Sequence, residues 1–232
     1  MKAWVFALFL GSSLAFADEA QERVRAADNI RFPSGGFQAD VQIGEAQYRV
    51  LSNGPGRTVV MQLAPASDRG TIMLQRDGDL WVFAPSVSQA IRIPMSQRLT
   101  GQVANGDIAS ASFAEDYTAS IVGEEVCIQD LSCVILDLQQ SASRATYKRV
   151  KLWVTKQGSY PIRAEFYSAS GRVLKKGYYT GYKNMAGDYR PSKLLLVDEL
   201  RSGERSMMEY SSIQQKQLPD KLFTKNYLKK LQ

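Results

Sequence analysis

Cys127 and Cys133 are the only cysteines, and they flank Ile128-Gln129-Asp130-Leu131-Ser132, a polar turn between two strand-like runs. A redox pair would need a neighbouring base or Cys-x-x-Cys spacing, and neither is present. The expected chemistry is therefore a structural disulfide, which by loop-closure entropy adds roughly 2–2.5 kcal/mol. The chain has no histidine, which excludes Ser–His and Cys–His nucleophile activation and the usual zinc sites. Gly101 to Gly106 has the glycine spacing of a phosphate loop, but Asp107-Ile108 stands where Lys-Ser/Thr is required, and an acid there repels phosphate. Gly54-Pro55-Gly56 lacks the third glycine of a dinucleotide turn, and its proline removes an amide donor. Glu115-Asp116 and Glu124-Glu125 have the residue types of a glycosidase pair, yet adjacent acids usually mark a solvated turn. No catalytic residue, metal or cofactor is expected; the chain reads as a binding protein and not an enzyme.

The amino terminus sets the compartment. Lys2 supplies a positive start, Ala3 to Leu14 an apolar stretch, and Ala15-Phe16-Ala17 a small-x-small cleavage site before Asp18. That pattern is a cleavable secretory signal, residues 1–17, too short to span a bilayer. Residues 18–232 are then one exported domain of about 215 residues, large enough to bury a core. Losing Lys2 lowers the formal charge from +6 to +5. Only Lys225 to Lys230, KNYLKK, concentrates it, as a helix end or a patch for anionic headgroups; no nucleic-acid partner is expected.

The elements that must hold any site are mostly strands. An amphipathic helix over Glu19 to Asn29 carries Val24, Ala27 and Ile30 on one side. Phe32-Pro33 stops it. Phe37, Ala39, Val41 and Ile43 then alternate with polar residues as a strand wetted on one side. Twelve further runs follow, at Tyr48–Ser52, Thr58–Leu63, Thr71–Gln75, Leu80–Ala84, Ile91–Met95, Thr118–Val122, Val134–Leu138, Lys148–Thr155, Ile162–Ser168, Val173–Tyr182, Pro191–Glu199 and Ser206–Ile213. Asp77-Gly78 is a tight hairpin signal. A short helix is expected near Gly106-Asp107, and Leu222, Phe223, Tyr227, Leu228 and Leu231 outline a terminal helix. Consecutive strands without intervening helices argue for an antiparallel meander. The expected fold is mainly β with flanking α: a strongly curved antiparallel sheet, an incomplete barrel, capped by helices.

Leu80-Trp81-Val82-Phe83 is apolar at every position, so both faces of that strand need cover. One face belongs to the core; the other needs a packed helix or an apolar ligand. Met73, Trp81, Phe83, Ile91, Ile93 and Met95 are the candidate wall of a lipid cavity, with Trp81 and Phe83 facing the hollow and Leu80 and Val82 opposite. The same six could instead fill a core.

The ordered pattern Asp77-Gly78, Leu80-Trp81, Phe83, Pro85, Val87, Gln89-Ala90 and Arg92-Ile93 resembles the LolA-like outer-membrane lipoprotein-sorting family. Continuation into Gly106-Asp107 is most similar to the branch found with membrane exporters, and Leu218-Pro219-Asp220 with Leu222-Phe223-Thr224 extends the resemblance to the end of the chain. The resemblance implies an incomplete barrel with helices as a lid over its concave face. It also implies a monomeric periplasmic carrier that shields a lipid or lipoprotein acyl chain and moves it toward the outer membrane. Its donor would be an inner-membrane exporter and its acceptor a component of the outer membrane. The alternative is a non-catalytic periplasmic sensor or partner-binding protein associated with such an exporter. LolA itself carries an arginine before a proline on an early strand, where it helps hold the lid shut; the corresponding place here is Ala64-Pro65.

Overall fold

A computed structural model describes residues 12–85, 89–94, 112–128 and 130–228, with side chains from residue 18 onward. Helix α1 (Ser12–Arg31) is followed by β1 (Phe37–Ile43), β2 (Ala46–Ser52), β3 (Arg57–Ala64), β4 (Ile72–Arg76), β5 (Asp79–Phe83) and β6 (Ile91–Ile93). After the connecting residues come β7 (Tyr117–Ile128), β8 (Leu131–Gln140), β9 (Arg149–Thr155), β10 (Pro161–Tyr167), β11 (Val173–Met185), β12 (Asp188–Asp198) and β13 (Glu204–Gln215). A 3-10 turn (Asp220–Phe223) and the short helix α2 (Lys225–Leu228) end the described chain. Every strand expected from the alternation is present. The differences are at ends: α1 runs from Ser12 through the expected cleavage site, and β7 and β8 lengthen into a hairpin closed by the Cys127–Cys133 disulfide. The helix expected near Gly106-Asp107, Met95, Val87 and Leu231 lie outside the described residues.

All thirteen strands form one antiparallel sheet in the order β6-β5-β4-β3-β2-β1-β13-β12-β11-β10-β9-β8-β7. Neighbours in sequence are neighbours in the sheet, as short connections favour, and β1 pairs with β13. Among the described residues one pairing around that circle is missing, β6 with β7, so the sheet is not closed there. Asp77 and Gly78, at φ +52° and +83°, form the two-residue left-handed turn that a tight hairpin requires.

Strand parity divides the side chains. One face gathers Ala39, Val50, Val60, Met73, Leu80, Leu136, Leu152 and Leu196 with Ala20, Val24 and Ala27 of α1 into a single cluster, which is the concave interior. On the outer face the two halves of the sheet differ. Across β8–β11 it is a charged and aromatic ladder, with Asp137 2.5 Å from Arg149, Lys176 3.0 Å from Glu199, and the Arg163 guanidinium 4.4 Å from the Trp153 ring centre. Across β2–β5 it is apolar: Leu51, Val59, Ile72 and Leu74 pack beneath Leu218, Phe223 and Leu228, with Trp81 and Met61 against them. This explains the uninterrupted apolar run in β5. Its second face is covered by the chain's own C-terminal segment.

Phe223 is the fully buried centre of that outer cluster. Phe223→Ala should cost about 3–5 kcal/mol of unfolding free energy, the usual range for removing a buried phenyl ring. Urea unfolding checks this, and a loss below about 1 kcal/mol, the scale of an ordinary surface change, would contradict the packing described.

Candidate functional site

The register across β1–β6 builds the inner wall in two rows. The deeper row, Ala39, Val50, Val60, Met73, Val82 and Ile91, is apolar throughout. The row nearer the hairpin tips, Phe37, Ser52, Thr58, Gln75, Leu80 and Ile93, has three polar members at its centre. Ser52, Thr58 and Gln75 are all buried, and the Thr58 hydroxyl donates to Ser52 Oγ at 3.3 Å. Ala39, Val50, Val60, Met73 and Leu80 are buried, Val82 and Ile93 half-buried, and Ile91, on the open edge strand, is 54% exposed.

Of the six candidate wall residues, Met73, Ile91 and Ile93 face inward, and Met95 lies outside the described residues. Trp81 and Phe83 do not face inward. Trp81 pairs with Leu74 and Phe83 with Ile72, both on the outer face, while Val82 and Leu80 pair with Met73 and Gln75 inside. Trp81 lies under the C-terminal segment, with Lys225 Nζ 3.9 Å from its ring centre. The assignment of faces from side-chain size was therefore inverted. On β5 the large rigid residues serve the outer packing, and the smaller Leu80 and Val82 face the interior.

Helix α1 lies over the inner face of the other half, packing on β7, β10 and β12. It is held there by polar contacts from its middle and its carboxyl end. Gln21 Nε2 donates to Ala114 O (2.7 Å) and Tyr117 O (3.2 Å), and its Oε1 accepts from Ala119 N (3.1 Å), which occupies part of the free edge of β7. At the carboxyl end, Asp28 accepts from Ala114 N (2.8 Å) and Ser112 Oγ (3.0 Å) and pairs with Arg31 (2.9 Å). The Arg31 guanidinium lies 4.3 Å from the Phe113 ring centre. Arg190, the largest fully buried side chain, donates to the carbonyls of Asn29 and Ile30 in the last turn and to Met185 O at 3.0 Å. A guanidinium at a helix C-terminus satisfies carbonyls that have no partner within the helix and complements its dipole. At the early-strand place that the resemblance gives, Ala64-Pro65 stands without an arginine; on β12, Arg190 immediately precedes Pro191. The dipeptide was visible in the sequence; its contact with α1, about 160 residues away, was not.

Three clefts adjoin along the rim at the hairpin tips, sharing Pro55 or Asp77, Gly78 and Ser143. Their volumes are about 290, 420 and 800 Å³. Beside them Asp116 Oδ1 lies 2.5 Å from Arg144 Nε. Burial raises the Asp116 carboxyl to about 6, against the pull of Arg144. Burial also raises Asp28, against Arg31. A carboxyl raised on folding holds its proton better in the native state. Its stabilising contribution is complete below the unfolded value of 3.8 and is lost as pH rises to about 6. Compared with Asp116→Asn, which cannot titrate, the wild-type melting temperature should fall between pH 4 and 6 and then level. A difference that stays constant across that range would contradict this assignment.

No curated protein matches the chain. A family model described only as "uncharacterized protein"-like matches residues 54–230. Among solved structures, the LolA superfamily protein NE2245 from Nitrosomonas europaea is 45% identical, covers 90% of this chain and 98% of its own, and superposes with a TM-score of 0.82. A domain proposed to belong to an outer membrane lipoprotein-sorting protein of Vibrio parahaemolyticus is 18% identical, covering 92% and 99%, with a TM-score of 0.76. A DUF1329 family protein from Desulfovibrio piger is 20% identical with the same coverages and a TM-score of 0.75. The last two share the fold. With the first, identity is sustained over nearly the whole of both chains, and on that ground this protein belongs to the LolA superfamily.

Proposed function

We propose that the protein is a periplasmic carrier that shields a lipid or lipoprotein acyl chain against the concave face of its sheet and moves it toward the outer membrane. The observation that carries this reading is the apolar row from Ala39 to Ile91, which runs outward from the buried interior and ends at the open seam on an exposed isoleucine. A chain entering at the seam would meet Ile91, then Val82, then Met73, without crossing a charged side chain in that row. Burial is worth about 0.8 kcal/mol per methylene. Covering one chain of about 16 carbons thus offsets on the order of 10 kcal/mol of contact with water. Such a task makes and breaks no covalent bond and requires no cofactor.

Export follows from the secretory-signal pattern of residues 1–17 and fits the disulfide, which persists in oxidising compartments. An inner-membrane exporter is the donor in this scheme, and an outer-membrane component the acceptor. The carrier acts as a monomer, because its apolar row is to be filled by cargo and not by a second copy. The superfamily relationship supports carriage of this kind, and the neighbour from Vibrio parahaemolyticus is itself described in terms of lipoprotein sorting.

Val82→Gln and Ile91→Gln should each weaken uptake of a fluorescent fatty-acyl probe about tenfold, since an aliphatic side chain's contact is worth about 1.5–3 kcal/mol. Both sites are at least partly open, so melting temperature should fall little. Trp81→Gln should do the reverse, lowering stability with probe affinity retained. Fluorescence titration and thermal melts on the three variants decide it. Loss of uptake with Trp81→Gln alone would refute the inner row as the binding wall.

A further inference from the structure

β7 and β8 outrun the strand beside them. Cys133 is opposite Thr155, the last residue of β9, so the hairpin continues about two residues, roughly 7 Å, beyond its neighbour. The projecting end is apolar. Val122, Val126, Ile128 and Leu131 are between 44% and 65% exposed, and they are four of the seven large apolar side chains exposed to this degree among the described residues. Single exposed aliphatic side chains are ordinary, whereas a cluster marks a surface that meets something else. Register divides the outermost three between two sides. Val126 is opposite Ser132 and Ile128 is opposite Leu131; Leu131 and Ser132, adjacent in one strand, point to opposite faces. Both sides of the tip are therefore apolar. The ladder slips at Cys127, where the disulfide ties the tip to the fully buried Cys133. Lys156 braces it from the β9–β10 turn, donating its backbone N–H to Ser132 O at 2.9 Å and placing Nζ 2.6 Å from Glu124.

A partner protein would have to clamp this projection from both sides, whereas a fluid apolar medium covers both at once. The reach also suits a bilayer, where groups at the boundary between headgroups and acyl chains lie about 5–10 Å deep. Charge then selects the kind of bilayer. Glu125 and Asp130 are exposed and make no ion pair among the described residues, while Lys156 is already paired with Glu124. At headgroup depth, carboxylates are attracted by ammonium groups and repelled by a surface of net negative charge. The concentrated basic run, Lys225 to Lys230, belongs to the C-terminal segment and not to this hairpin. We propose that the β7–β8 tip is a membrane-docking element. It inserts Val126, Ile128 and Leu131 into a zwitterionic bilayer of phosphatidylethanolamine, with Glu125 and Asp130 level with the ammonium groups. Docking of this kind requires no cargo on the inner face, so it holds or fails independently of the carrier reading.

Vesicle flotation of the exported protein tests this with two compositions. One is an equal mixture of phosphatidylethanolamine and phosphatidylcholine; in the other, phosphatidylglycerol replaces about a third of the lipid. Wild type should float with the neutral vesicles. The double variant Val126→Ser, Ile128→Ser should lower that partition at least about tenfold, the scale of one aliphatic side chain's burial. Both positions are exposed, so the melting temperature should change little, and uptake of the fluorescent fatty-acyl probe should stay within about twofold. Ile128→Trp reports the position directly: acyl-chain-brominated lipid should quench its fluorescence beyond the level that Trp81 and Trp153 give in wild type. Failure of wild type to float with either composition would leave the tip to a protein partner and overturn the proposal. Flotation undiminished by the double variant would assign membrane contact elsewhere, to the Lys225 to Lys230 run if it needs the anionic lipid, and would overturn it too. So would a double variant that loses probe uptake together with flotation, because the bilayer contact would then be the cargo wall. Flotation that depends on the tip in a protein that never takes up the probe would leave docking standing and refute the carrier reading alone.

Discussion

A thirteen-strand meander whose first and last strands pair with each other has one seam at which it can stay open, and here that seam is between β6 and β7. Closing it would pair the free edges of β6 and β7. Leaving it open gives the concave face a length that more sheet does not cover. The molecule meets that demand unevenly. Over β7, β10 and β12 the cover is α1, whose small residues Ala20, Val24 and Ala27 let the helix lie close. Along β4–β6 the inner rows lead out to the exposed edge at Ile91.

The placement of α1 rests on groups that are costly to leave unpaired. A buried guanidinium must be hydrogen-bonded, and Arg190 finds its acceptors in the carbonyls that the end of α1 cannot satisfy internally. Asp28 does the same for the backbone amide of Ala114, where burial raises its carboxyl above the ordinary range against the pull of Arg31. These contacts tie the helix to β12 and to the residues just before β7, on the two sides of the curl. Any movement of α1 away from the sheet would have to break or hydrate them together.

The meander and its strands were legible because alternation reports burial directly: Phe37–Ile43 alternates since one face is wet, and β5 does not because both faces are covered. Which face of β5 was which could not be read. Parity says that Trp81 and Phe83 share a side, but the covering segment, Leu218 to Leu228, is about 140 residues away in sequence and no local pattern links them. Side-chain size alone therefore does not assign the two faces of β5. Arg190 was not legible as a helix anchor, because its acceptor at Ile30 is about 160 residues away in sequence.

Native mass spectrometry of the protein, purified from the cell envelope without detergent, tests the central claim most directly. The account predicts a population heavier by the mass of a single amphiphile, released on denaturation and recovered in an organic extract. Protein that emerges at its bare mass and stays bare after incubation with lipid would contradict it.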